Sequence, residues 1–283
     1  MKAAFSVLFY SFLSYHFAFA QSIDIKALRN RADTGNIEAA LKLAEIYALG
    51  IDAPENLDSV IWFLRPHAEA VHPEACFILG NLYLRGTGIS KNISKGISLL
   101  EQSAAKGNIQ AVRVLLDVYS GQDDDGPFTD PGLKAKISNA SVFRVANMAK
   151  EWNDPYALCQ LGRCYLEGIG TAIHDTLALY YLEASAAWGH GIAQLVLGDV
   201  YFFAKTYKGY DVMLAHQWYQ LAHQNTKLSL DQRALGLEGM MWVERNFHAL
   251  RNQIIAATWM WSDWRIEFSV PEVKEKDFKR KRY

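Results

Sequence analysis

Much that would announce a function is missing from this chain. Cysteine occurs three times in 283 residues. Cys76, Cys159 and Cys164 cannot all pair with one another, and they show no C-x-x-C metal spacing. On a helix, Cys159 and Cys164 fall on different faces, so no bridge joins them and they read as small buried hydrophobes. Basic residues are not concentrated: 29 Lys and Arg are interspersed with 30 Asp and Glu, which excludes the cationic stripe that phosphate backbones require. The chain has no G-x-S-x-G, no H-E-x-x-H, no phosphate-binding loop and no dinucleotide fingerprint. Alternating strands are absent too. No catalytic residue, metal site or cofactor is therefore assigned. An apolar share of 51% against 21% charged residues nevertheless demands a packed core.

Long apolar runs are confined to the start. Met1 and Lys2 precede "AAFSVLFYSFLSYHFAFA", which holds no acid and no further base, and Ala18-Phe19-Ala20 fits the small-x-small rule for signal peptidase. Residues 1–20 are expected to be a signal peptide cut after Ala20, giving a periplasmic or secreted protein with no integral membrane span after cleavage. At the other end Lys279, Arg280, Lys281 and Arg282 close a basic flexible tail, residues 269–283.

What fills the rest is repetition. "PEACFILGNLYLRGTGI" from Pro73 returns 82 residues later as "PYALCQLGRCYLEGIG" from Pro155. The frame Ala, Leu four later and Tyr eight later fits Ala39-Leu43-Tyr47, Ala75-Leu79-Tyr83, Ala111-Leu115-Tyr119, Ala157-Leu161-Tyr165 and Ala193-Leu197-Tyr201, at intervals of 36, 36, 46 and 36. Such spacing stacks three side chains along one helix face. The residue after each Leu is Ala44, Gly80, Leu116, Gly162 or Gly198, small in four cases, so a second helix can approach closely. Gly50, Gly86 and Gly168 then end the first helix. A second apolar segment follows, with Leu64, Leu100, Leu182 and Trp218 in one column and Ala68, Ala104, Ala186 and Ala222 in the next. Each copy closes near Val71, Gly107, Asn153, Gly189 or Asn225. A hairpin of helices buries its apolar faces only by stacking on neighbours, which predicts an all-α chain: an α-solenoid of about five helix-turn-helix repeats.

The pattern Ala-x-x-x-Leu-Gly-x-x-Tyr-x-x-Gly-x-Gly, with a second helix ending Ala-Ala-x-Gly, resembles the Sel-one-like repeat, a relative of the tetratricopeptide repeat. The resemblance covers about Asn36 to Asn225, and residues 21–227 are taken as the repeat region. It implies a scaffold or adaptor rather than an enzyme. In tetratricopeptide-like solenoids the first helix of each unit lines the concave face. By the Leu-Gly-x-x-Tyr match this makes Glu45, Asn81, Asp117, Arg163 and Asp199 one row of partner-binding positions, with Arg85 and Glu167 one turn further on. Mixed signs suit a protein or peptide partner and no nucleic acid. Two further functions follow from the family. One is cell-wall or β-lactam-related binding or hydrolysis, as in cysteine-rich relatives with a cysteine pair in every unit. The other is an adaptor in eukaryotic secretory quality control, for which Asn92-Ile93-Ser94 and Asn139-Ala140-Ser141 are candidate glycan sites.

Departures from the period are expected to be local. The third unit carries ten extra residues, in "GQDDDGPFTDPG", whose Asp123-to-Pro131 stretch reads as an exposed loop that does not meet the EF-hand pattern. His216 and His223 share a helix face without an evident third ligand. Beyond the repeats, residues 228–268 read as a C-terminal capping helix pair, with Trp259, Trp261 and Trp264 packing against the last repeat.

Overall fold

A computed structural model describes residues 24–50, 54–120, 138–203, 206 and 211–260; side chains of 120 and 246–260 are outside the description. The signal segment, the Asp123–Pro131 insertion, Trp261, Trp264 and the basic tail lie outside the described residues. Among these residues there are twelve α-helices and no strand. They are α1 (Ile25–Asp33), α2 (Ile37–Leu49), α3 (Leu57–Glu69), α4 (Pro73–Arg85), α5 (Ile93–Ala105), α6 (Ile109–Ser120), α7 (Asn139–Met148), α8 (Pro155–Glu167), α9 (Asp175–Ala187), α10 (Gly191–Phe202), α11 (Val212–Gln224) and α12 (Leu230–Met260). The chain forms two compact units, residues 1–111 and 112–283.

Four hairpins are closed by the same small set of bonds. The Tyr of the frame ends the first helix, and its carbonyl accepts the N–H of the residue that caps the second: Asn56 to Tyr47 (2.8 Å), Asn92 to Tyr83, His174 to Tyr165 and Asp211 to Tyr201 (each 2.9 Å). That cap then accepts an N–H from the helix it starts, using Asn56, Asn92, Ser138, His174 or Asp211. Gly86 and Gly168 adopt φ of 69° and 71° after α4 and α8, where a left-handed residue turns the chain at least cost. First and second helices cross at the small position of the frame. A Cβ on Gly80 would meet Leu100 Cγ at 2.9 Å and the Gly96 carbonyl at 3.1 Å; one on Gly162 would meet Leu182 Cγ at 2.7 Å.

In unit 1, α1 to α5 enclose a core of Leu43, Tyr47, Phe63, Leu64, Leu79 and Leu82. In unit 2, Leu182, Leu197, Tyr201, Phe202 and Tyr219 form the corresponding interior, with Val243 of α12 joining it. The Tyr of the frame stacks on the second helix, Tyr47 on Phe63 (centroids 6.1 Å) and Tyr165 on Tyr181 (5.9 Å), while Lys95 sits over the Tyr83 ring at 4.4 Å.

Two elements differ from the sequence expectation. α1 was not anticipated; it carries second-helix columns, its Leu28, Ala32 and Gly35 standing 36 residues ahead of Leu64, Ala68 and Val71, with no first helix before it among the described residues. At the C-terminus the expected pair of capping helices is one helix, α12, of 31 residues. Between Met240 and Met260 the sequence has no Gly or Pro to end a helix, so it runs on.

Candidate partner-binding surface

In unit 1 the first helices carry Glu45, Asn81 and Arg85. Glu45, half-buried on α2, is ion-paired with Lys42 one turn back (2.8 Å). Asn81 on α4 donates its amide to the Phe77 carbonyl at 2.9 Å, and its own Oδ1 is buried with no hydrogen-bond partner among the described residues. Arg85 occupies the last turn of the same helix and is half-buried.

Unit 2 carries Asp117, Arg163, Glu167 and Asp199. Arg163 and Glu167 are brought together along α8, with Nε and Oε1 3.7 Å apart. Asp117 is exposed on α6 and accepts a hydrogen bond from the Tyr156 hydroxyl on α8. Asp199, half-buried on α10, accepts one from Tyr219 on α11 (2.6 Å). Two of the four charges therefore link one helix to another. Burial, then the Asp117 carboxylate, pushes the Tyr156 phenol well above its ordinary value, so it stays a donor.

Sequence reasoning missed the cluster at the start of α8 and α10. Asp154 caps α8, taking the Ala157 N–H on Oδ1 (3.0 Å) and the Arg113 guanidinium on Oδ2, Nε lying 3.0 Å away. One turn of repeat later, His190 caps α10: its Nδ1 accepts the Ala193 N–H at 3.3 Å, which puts the neutral ring's proton on Nε2. The ring packs edge-on against Tyr156, centroids 5.9 Å apart. Burial lowers the His190 pKa to about 4; Asp154 opposes the shift, and Arg113 and Lys227 add to it. The signal was present in the capping column Asn36, His72, Asn108, Asp154 and His190, whose spacing is that of the repeat. In the same column His72 makes no side-chain cap.

The three cysteines offer no reactive thiolate. All three cysteines are free and buried. Burial raises the Cys76 thiol, lifts Cys159 to about 12 and Cys164 to about 11, far from a reactive thiolate. The paired-cysteine framework of the cysteine-rich relatives has no counterpart here. His216 approaches Glu244 (3.5 Å) and His223 contacts the Arg233 carbonyl (3.1 Å), so the two imidazoles have separate partners. No group of three or more His, Cys, Asp and Glu side chains among the described residues is placed to hold a metal. Nor is any described helix long and apolar enough to cross a membrane.

Capped helix hairpins recurring at 36 residues, closed through a Tyr carbonyl and crossed at a small residue, define a tetratricopeptide-like α-solenoid protein. The Sel1 repeat profile matches residues 37–63, 73–108, 155–190 and 191–223. The chain is a member of the Sel1-like repeat family. A Sel1 repeat protein from Oxalobacter formigenes has the same fold, with a TM-score of 0.60 and 23% identity over 73% of this chain and 82% of that one. A protective antigen of uropathogenic Escherichia coli displaying an SLR fold aligns at 17% identity and a TM-score of 0.40, over 88% of this chain and 61% of that one. An uncharacterised protein of Neisseria meningitidis serogroup B is 25% identical over 174 residues, 62% of this chain. The alignment spans 34% of that relative's length.

Proposed function

We propose that this protein is an exported, non-enzymatic scaffold that holds a protein or peptide partner on the first-helix surface of its repeats. The observation that carries the reading is the way charged groups on that surface are fixed. Asp117 and Asp199 are each bonded to a tyrosine of a neighbouring helix, and Arg163 is held against Glu167. A surface whose charges are already oriented loses little side-chain entropy when a partner docks. Mixed signs select a partner by charge pattern and not by total charge. Export fits the first described helix: cutting after Ala20 leaves Asp24, which caps α1 through the Ala27 N–H (3.0 Å), in place.

The test is a photo-crosslinker at Glu167, which is exposed, with Tyr180 on the second helix α9 as the control position. In living cells the expected result is one or two recurrent protein adducts from position 167 and none of these from position 180. The adducted chain should begin at Gln21 when its N-terminus is sequenced. The same adducts from both positions, or none from 167 in folded protein, would overturn the placement of the surface.

A further inference from the structure

In the alternation of first and second helices, α1 is the first described and α12 the last. Each repeat pairs a first helix with a second, and α1 holds second-helix columns with no described first helix before it. Its Leu28 is half-buried, whereas Leu64, Leu100 and Leu182 in the same column are fully buried. α12 is the converse. It follows α11 in the alternation, where a first helix would stand, and packs closely on it: a Cβ on Gly236 would meet the His223 nitrogen and the Tyr219 carbonyl at 2.8 Å, and Arg233 Nε donates to the His223 carbonyl at 2.9 Å. No second helix follows it among the described residues. Left open on α12 are Leu230 (79% exposed), Leu237 (43%) and Met241 (44%), with exposed Ala234 between them. Steps of four, three and four residues place these in one stripe along the helix.

Charge says what covers that stripe. Among the described side chains of α12 the exposed charges flanking it are Asp231, Glu238 and Glu244 against one base, Arg245, and Glu244 also faces His216. α1 presents the complement: exposed Lys26, Arg29 and Arg31 around half-buried Ile25 and Leu28, with Asp24 and Asp33 at its two ends. Arg29 reaches Tyr47 through Nη2 (2.6 Å), the position that Glu183 takes toward Tyr201 in unit 2 (2.8 Å). We propose that α12 of one copy receives α1 of a second copy, so that a first helix lacking its second and a second helix lacking its first complete a repeat between them. The contact is heterologous: α1 of the receiving copy and α12 of the donor stay open, and further copies add head to tail. Pairing α12 with α12 would instead set acid against acid.

Cysteine crosslinking of the full-length protein tests this, since the three native thiols are buried and engineered surface thiols react alone. Lys26→Cys and Glu238→Cys variants are mixed under mild oxidation. The mixture is expected to form disulfide-linked pairs about tenfold above either variant alone, a margin equal to ~1.4 kcal/mol of association. Adding Leu237→Asp to the Glu238→Cys chain should cut the yield by about the same tenfold factor without loss of helicity, because Leu237 is on the surface. Crosslinking of Glu238→Cys to itself, or a mixture no better than its components, overturns the proposal.

Discussion

Acidification should weaken unit 2 through a single imidazole. His190 caps α10 only while Nδ1 is a bare acceptor, and burial brings its pKa from the ordinary 6.5 down to about 4. The unfolded chain therefore takes up a proton first as pH falls. Stability is fully present above pH 6.5 and is lost as pH drops toward 4. Integrating between those limits gives a loss of about 2 kcal/mol from pH 7.5 to pH 5, approaching roughly 3 kcal/mol below pH 4. For a chain of this size, 2 kcal/mol corresponds to a fall in Tm of about 4–8 °C. Asp154, Arg113 and Lys227 all act on the ring, and His67 is also lowered by burial and by His72, so total stability mixes several titrations. The difference between wild type and His190→Asn isolates the one that matters, because Asn retains the cap without the titration. Thermal melts of both at pH 7.5, 6.5, 5.5 and 5 should diverge, the wild type falling further. Parallel curves would refute the assignment of the lost stability to His190.

Two further pairs of substitutions separate the contacts that build the repeat. Ser103 and Ser185 are fully buried and donate to the Pro73 and Pro155 carbonyls (2.7 and 2.6 Å), so Ser185→Ala should cost about 1 kcal/mol in urea unfolding; unchanged midpoints in both alanine variants would show that the bond contributes nothing. Gly170 and Gly189 both have positive φ (68° and 76°), but a Cβ on Gly170 would overlap the Asn139 carbonyl, while one on Gly189 would meet nothing within 4 Å. Gly189→Ala should lose about 1–2 kcal/mol for its backbone conformation alone. Gly170→Ala should lose a further ~1–3 kcal/mol for the clash, and equal losses at the two sites would contradict the close approach.

The core was legible because it is written in periodic apolar residues. Ala157, Leu161, Ala193 and Leu197 announce a buried helix face from spacing alone, and the small positions Gly80 and Gly162 announce the helix that crosses them. Capping was not legible in the same way. Asn36, Asn108, Asp154 and His190 do one job with three side-chain chemistries, so residue identity hides a column that only position reveals. α1 was not legible because it carries the second-helix columns, whereas the Ala-Leu-Tyr frame belongs to the first helix. For the candidate surface, sequence placed the charges on first helices but could not show that tyrosines claim Asp117 and Asp199. Tyr156 and Tyr219 sit 39 and 20 residues away from their partners, outside any local pattern.

Among the described residues the side-chain bonds that tie helices together span at most 41 residues of chain. A protein threaded through a narrow channel in an extended state meets its own sequence gradually, from one end. Here each length of about 40 residues brings with it the partners needed to close a hairpin, and the preceding hairpin offers the surface it settles on. Folding can therefore keep pace with emergence, and little apolar surface waits for a distant segment to arrive.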